Sequence, residues 1–179
     1  MINVFSKKST LILLVLLFTF VHPAIAEQFV PFNYSINGSG MSNTLNDGEV
    51  VFAIPLKSTD ELQRGDVVIC HYPGRGNTAF VKRLLGLPGD TVEMRDQHLY
   101  VNGKLIDNPV KMGSQPNYRF GEYKLKDDEY FVLGDNRGNS NDSHAIGPIP
   151  RSMIIAHVRQ VIWPLNAIRP VTNEFNAHE

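Results

Sequence analysis

Leu99-Tyr100-Val101-Asn102-Gly103-Lys104-Leu105-Ile106 places Asn-Gly between two short apolar runs. That dipeptide supplies the positive-φ pair of a two-residue turn, so the segment reads as a tight antiparallel hairpin. Outward from it, turn signals recur at Asn46-Asp47-Gly48, Arg64-Gly65-Asp66, Pro73-Gly74 and Pro88-Gly89-Asp90. Residues 49–55, 66–72, 79–87, 91–94, 98–101, 130–133 and 154–163 lie between such signals. They are rich in Val, Ile, Phe and Tyr, as strands are. After residue 26 no apolar pattern sustains a three-turn amphipathic helix. The expected fold is mainly β, antiparallel because the connections are short, with few short helices.

The chain has 179 residues, 42% of them apolar, which suits one globular core. Its 17 Lys and Arg nearly balance its 18 Asp and Glu, giving no electrostatic ground for a nucleic-acid partner. The single Cys70 excludes an internal disulfide framework and reads as a small core thiol. His71, His98, His144, His157 and His178 are too dispersed for a short metal-ligand motif, and no cofactor is implied. Asp127-Asp128-Glu129 reads as a solvated turn.

Lys7 and Lys8 precede an apolar run from Leu11 to Val21, then Pro23 and Ala24-Ile25-Ala26 before Glu27. This is a secretory leader layout. From residue 11 to 26 a helix would reach about 24 Å, short of the roughly 30 Å of a bilayer's hydrocarbon. Cleavage after Ala26 is therefore expected, releasing an extracytoplasmic domain over residues 27–165 with a tail at 166–179. The alternative is an uncleaved anchor that holds the domain outside the membrane, with the membrane surface as a possible partner.

Four ordered segments resemble the signal peptidase I family. They are residues 36–49, with Gly38-Ser39-Gly40-Met41-Ser42-Asn43-Thr44-Leu45 at their centre; 64–69; 80–90, Phe80-Val81-Lys82-Arg83-Leu84-Leu85-Gly86-Leu87-Pro88-Gly89-Asp90; and 134–143, Gly134-Asp135-Asn136-Arg137-Gly138-Asn139-Ser140-Asn141-Asp142-Ser143. The resemblance spans residues 35 to 165. It implies a serine endopeptidase in which a neutral lysine, Lys82, is the general base. Ser140 orients that lysine, Met41 contributes to substrate binding, and Asp135, Arg137, Asp142 and His144 brace the site. The implied substrates are extended small-residue segments of exported pre-proteins. His144 departs from the family's usual arginine, and a histidine ion pair weakens as pH rises. A calcium loop fits residues 135–146 poorly, since Ser140 stands where the turn glycine belongs and Ile146 where the closing glutamate belongs.

Lysine titrates near 10.4, so it accepts a proton at neutral pH only if desolvated or crowded by positive charge. Strand alternation places Phe80, Lys82 and Leu84 on one face and Val81, Arg83 and Leu85 on the other. Lys82 is thus expected along an apolar wall, with Arg83 directed away from it.

The family's nucleophile motif runs Gly or Ser, any residue, Ser, Met, any residue, Pro, Thr, Leu. Here Gly40 occupies the serine's place and Asn43 the proline's, which implies a freer backbone. Ser39 and Ser42 flank the gap, Ser39 being the candidate displaced nucleophile, yet neither is in register with the base. Two functions follow from different classes. One is an active endopeptidase using Ser39, Lys82 and Ser140; the other is a pseudopeptidase that binds exported or pilus-type peptides by strand pairing as an assembly factor. A secreted ligand-binding β domain leaves the ordered matches around Lys82 and Asp135 unexplained.

Overall fold

A computed structural model describes residues 32–96, 98–106 and 119–173. The expected leader or anchor lies outside the described residues. The strands are β1 (Phe32–Ser35), β2 (Val50–Pro55), β3 (Val67–His71), β4 (Ala79–Gly86), β5 (Thr91–Arg95) and β6 (His98–Val101). They continue with β7 (Lys104–Leu105), β8 (Phe120–Lys124), β9 (Glu129–Leu133), β10 (Ile149–Pro150), β11 (Ile154–Trp163) and β12 (Arg169–Pro170). One short helix, α1 (Ser143–Ile146), precedes β10. Every strand pairing among the described residues is antiparallel, as the turn spacing predicts.

The strands form an eight-stranded sheet, ordered β1-β2-β11-β3-β4-β9-β10 with β12 on β11, and a four-stranded sheet ordered β7-β6-β5-β8. In the hairpin, Asn102 (φ 52°) and Gly103 (φ 76°) take the left-handed conformations the turn demands. The chain passes from the large sheet to the small one between β4 and β5. There the Asp90 side chain accepts from the Leu87 amide and Arg64 pairs with the same carboxylate at 3.0 Å. Gly86 sits at this junction without room for a side chain: an added Cβ would stand 2.6 Å from Leu125, 2.8 Å from Phe131 and 2.9 Å from Val92.

The segment expected as a tail from residue 166 is part of the domain through Asn173. Arg169 and Pro170 pair with Val161 and Gln160, and Asn173 bonds the Arg64 carbonyl and Asp66. Arg169 also holds both oxygens of the buried Glu49 at 2.8 Å and the Thr44 carbonyl at 2.7 Å, which ties this segment to the loop before β2. The Glu49 carboxyl is held below its ordinary range, chiefly by that guanidinium and against the effect of its burial.

β4 carries both Lys82 and Arg83. From Val81 onward both faces of this strand are buried, so Arg83 is 1% exposed. Alternation sets Arg83 on the face opposite Phe80, Lys82 and Leu84. Here Val81 and Leu85, on the side of Arg83, belong to buried clusters of their own. The guanidinium survives there because every side of it is bonded: to both oxygens of Asp135 at 2.9 and 2.7 Å, to the Gly65 carbonyl at 2.7 Å and to the Thr44 hydroxyl at 3.2 Å.

Candidate active site

Lys82 lies on the Phe80/Leu84 side of β4, in register with Val68 of β3. Its wall is the cluster of Val68, Cys70, Tyr72, Leu84 and Val132, against which Phe80 packs. Only 6% of Lys82 is exposed. Burial lowers its pKa, against the opposing pull of Asp142, Cys70 and Asp135. Burial likewise pushes the Cys70 thiol up to about 12, so it stands beside the lysine as a neutral group.

The loop from Ile36 to Leu45 comes over the amine. A Cβ added at Gly40 would stand 3.3 Å from Lys82 Nζ, 3.5 Å from the Asn139 carbonyl oxygen and 3.6 Å from Ser140 Oγ. Gly40 is not among the glycines with positive φ, so an L side chain is compatible with its backbone. The tightest contact would be the far end of a flexible lysine, which can give by a few tenths of an ångström.

This loop is clamped onto the one that follows β9. The Asn136 amide donates to the Gly40 carbonyl at 3.1 Å, and the Asn136 side chain to the Ser39 carbonyl at 3.0 Å. The Asn139 side chain donates to Ser39 Oγ at 2.7 Å, and Thr44 Oγ1 donates to Asp135 at 2.5 Å. Gly134 permits the close approach, since a Cβ on it would fall 2.1 Å from Ser140 Oγ and 2.5 Å from the Gly40 carbonyl oxygen. Asn43 adopts φ 89°, a conformation a proline ring cannot take. The position read from the sequence as having a freer backbone takes up a left-handed turn.

Each residue singled out from the sequence has a definite place. Gly40, Lys82 and Ser140 surround one point, and Ser140 Oγ is buried beside it. Ser39 Oγ is engaged with Asn139. Asp142 is fully buried; it accepts from the Gly134 amide at 2.8 Å and meets His144 Nδ1 at 2.6 Å. Burial pushes its carboxyl up, but the His144 and Gly134 bonds, with a smaller contribution from the Ser140 hydroxyl, bring it below its ordinary value. Arg137, 2% exposed, donates from Nε to the Gly134 carbonyl at 2.8 Å. Met41 is buried and lines the cleft in front of Lys82. Sequence reasoning missed Arg83 as the partner of Asp135, and Asn136, Asn139 and Thr44 as clamps. The one available signal was that a buried Asp135 needs a cation.

The cleft runs between Tyr34, Ile36 and Gly38 on one side and Ala79, Phe80 and Val81 on the other, reaches Gly40 and Lys82, and has a volume of about 70 Å³. That is well below the roughly 300 Å³ at which pockets for drug-sized ligands begin. β1 ends the large sheet, and β4 pairs with β9 only from Arg83 onward, so residues 79–82 have a backbone edge open toward the cleft. The Tyr34 hydroxyl donates to the Ala79 carbonyl at 2.7 Å across it. Two strand edges flanking a narrow slot can receive an extended peptide by main-chain pairing.

The sequence matches the family described as signal peptidase, peptidase S26, over residues 7–163. This chain belongs to that family. Signal peptidase I of Bacillus amyloliquefaciens is 36% identical over 156 residues, covering 81% of this chain and 83% of that protein. Signal peptidase IB of Staphylococcus aureus strain COL is 36% identical over 175 residues, covering 88% and 91%. A crystal structure of a signal peptidase I from Enterococcus faecalis V583 is 32% identical, covers 53% of this chain and 94% of that one, and has a TM-score of 0.47.

Proposed function

We propose that this chain binds extended, small-residue segments of exported pre-proteins and that Ser/Lys peptide cleavage is silenced at Gly40. One observation carries the reading: the point 3.3 Å from Lys82 Nζ, where a serine Cβ would stand, belongs to a glycine. A covalent mechanism needs a nucleophile within hydrogen-bond reach of its base, about 2.6–3.2 Å. The narrow cleft and its two open strand edges support peptide binding, and family membership supports the substrate class.

A second reading, an active endopeptidase with Ser39 displaced into the serine's role, is favoured by the desolvated Lys82 and is opposed by the bond that holds Ser39 Oγ on Asn139. An extracytoplasmic location fits either reading. The family match begins at residue 7 and so takes in the apolar run, which supports the anchored alternative. No helix among the described residues is long and apolar enough to cross a membrane.

The test is a peptide ending beyond an Ala-X-Ala segment, incubated with the full chain and followed by anisotropy and mass spectrometry. Binding without cleavage is expected. Cleavage by the natural chain that disappears in Ser39→Ala would establish the second reading instead.

A further inference from the structure

The loop from Ile36 to Glu49 is closed at its neck. There the Ile36 amide donates to the Glu49 carbonyl at 2.8 Å, and the Gly48 amide to the Ile36 carbonyl at 2.9 Å. Beyond the neck the loop carries Gly38, Gly40 and Met41, which line the cleft in front of Lys82. Where it stands over the lysine depends on what holds its tip and what holds its neck. The tip is held by the loop after β9, whose Asn136 amide donates to the Gly40 carbonyl at 3.1 Å.

The neck is held by Arg169. Glu49 is 5% exposed, and a buried carboxylate needs a cation and hydrogen-bond donors. Arg169 brings one nitrogen to each carboxylate oxygen at 2.8 Å, and the Asn46 amide reaches one of them at 2.9 Å. The same guanidinium donates to the Thr44 carbonyl at 2.7 Å. Thr44 in turn sets its hydroxyl between Asp135, at 2.5 Å, and Arg83, at 3.2 Å. A rigid planar fork holds a carboxylate and a carbonyl in one fixed geometry, which the compact ammonium of a lysine does not. Arg169 lies beyond residue 163, where the family match ends.

We propose that Arg169 is a positioning residue for the site: through Glu49 and Thr44 it sets where the Gly40 loop stands over Lys82 and Ser140, and with it one wall of the cleft. The proposal rests on the meeting of Gly40, Lys82 and Ser140 that the proposed function also uses. Without the guanidinium, the Glu49 carboxylate keeps only its Asn46 donors, so it takes up a proton or turns toward water. Its hold on the Asn46 amide then loosens, and the Thr44 carbonyl loses its donor. The neck is released while the tip stays tethered at Asn136 and Asn139. Proximity is steep in distance, and a misplacement of about 1 Å can cost roughly a hundredfold.

The experiment measures the loop's seat without substrate or catalysis. Gly40→Cys and Ser140→Cys are combined in the full chain, since a Cβ at position 40 stands 3.6 Å from Ser140 Oγ, close enough for a disulfide to span. Equilibration with reduced and oxidised glutathione gives the effective concentration of the two thiols. The buried Cys70, its thiol pushed up to about 12, stays out of the exchange. Adding Arg169→Gln is expected to lower the effective concentration at least about tenfold, and Arg169→Lys, which keeps the charge and loses the fork, to lower it less. Leu99→Ala, in the core cluster of the small sheet, is expected to lower the melting temperature and leave the effective concentration unchanged.

Equal effective concentrations with and without Arg169 overturn the proposal and leave the site standing. Where Arg169→Gln fails to fold, Arg169→Lys decides, and an unchanged value in it overturns the proposal. A drop of the same size in Leu99→Ala makes Arg169 one stabilising contact among many and overturns it too. Failure of the disulfide to form with Arg169 in place shows that position 40 does not stand over Ser140, and the proposal falls together with the reading of the site.

Discussion

At the scale of single residues, Gly40 decides what Lys82 can do. Its backbone accepts a side chain, and the base stands beside the place where a serine Cβ would be. Gly40→Ser is expected to create endopeptidase activity, and adding Lys82→Ala to lower it by about a hundredfold or more, since that is what a positioned base contributes. Because burial lowers the lysine's pKa, the new activity should rise with pH along a limb lying below the free-lysine value of about 10.4. Asn43 gives the opposite case. Proline, the family's residue, is fixed near φ −65° and cannot reach 89°, so Asn43→Pro is expected to lower the melting temperature. The glycine at position 40 and the lysine at 82 were legible because the resemblance to the family's motifs locates them. The conformation of Asn43 was not, since the same residue suits a flexible loop and a left-handed turn.

At the scale of elements, the seven strands read from composition all occur, with ends moved by no more than one residue, because each is a β-branched or aromatic run closed by a turn signal. β1, β8 and β12 were not legible for a physical reason. Phe32–Ser35 and Phe120–Lys124 each border a single partner strand, and β8 is mostly exposed, so neither carries alternating apolar patterning. Arg169 and Pro170 form two residues of strand held by the Glu49 ion pair rather than by burial. Gly86 shows how β4 leaves one sheet for the other: it lies where the β4–β9 register shifts and where Leu125, Phe131 and Val92 converge. Gly86→Ala would overpack that junction and is expected to cost about 1–3 kcal/mol, read as a lower urea midpoint with an unchanged slope. An unaltered midpoint would mean that the two sheets separate freely at this point.

At the scale of the whole molecule, stability and function compete for the same lysine. In the unfolded chain Lys82 keeps its proton up to about pH 10.4, whereas in the folded chain burial makes it release that proton at lower pH. Between the two values the unfolded state binds more protons, so stability rises with pH there; below the folded value the full cost of holding a buried ammonium is present. Lys82→Met removes that cost and fills the same apolar wall of Val68, Cys70 and Leu84. Its melting temperature is therefore expected to exceed that of the natural chain at neutral pH, and the difference to shrink as the pH approaches 10. Glu49 and Asp142 act in the other direction. Their carboxyls titrate below their ordinary values in the folded state, so both proteins gain from them above about pH 4 and lose that gain as pH falls further. The alkaline limbs of the two proteins should thus converge, while their acid limbs differ only through Asp142 and Asp135, the carboxylates that pull on the lysine. A melting difference constant across the whole range would show that Lys82 carries no burial cost, and the case for its working as a base would fall with it.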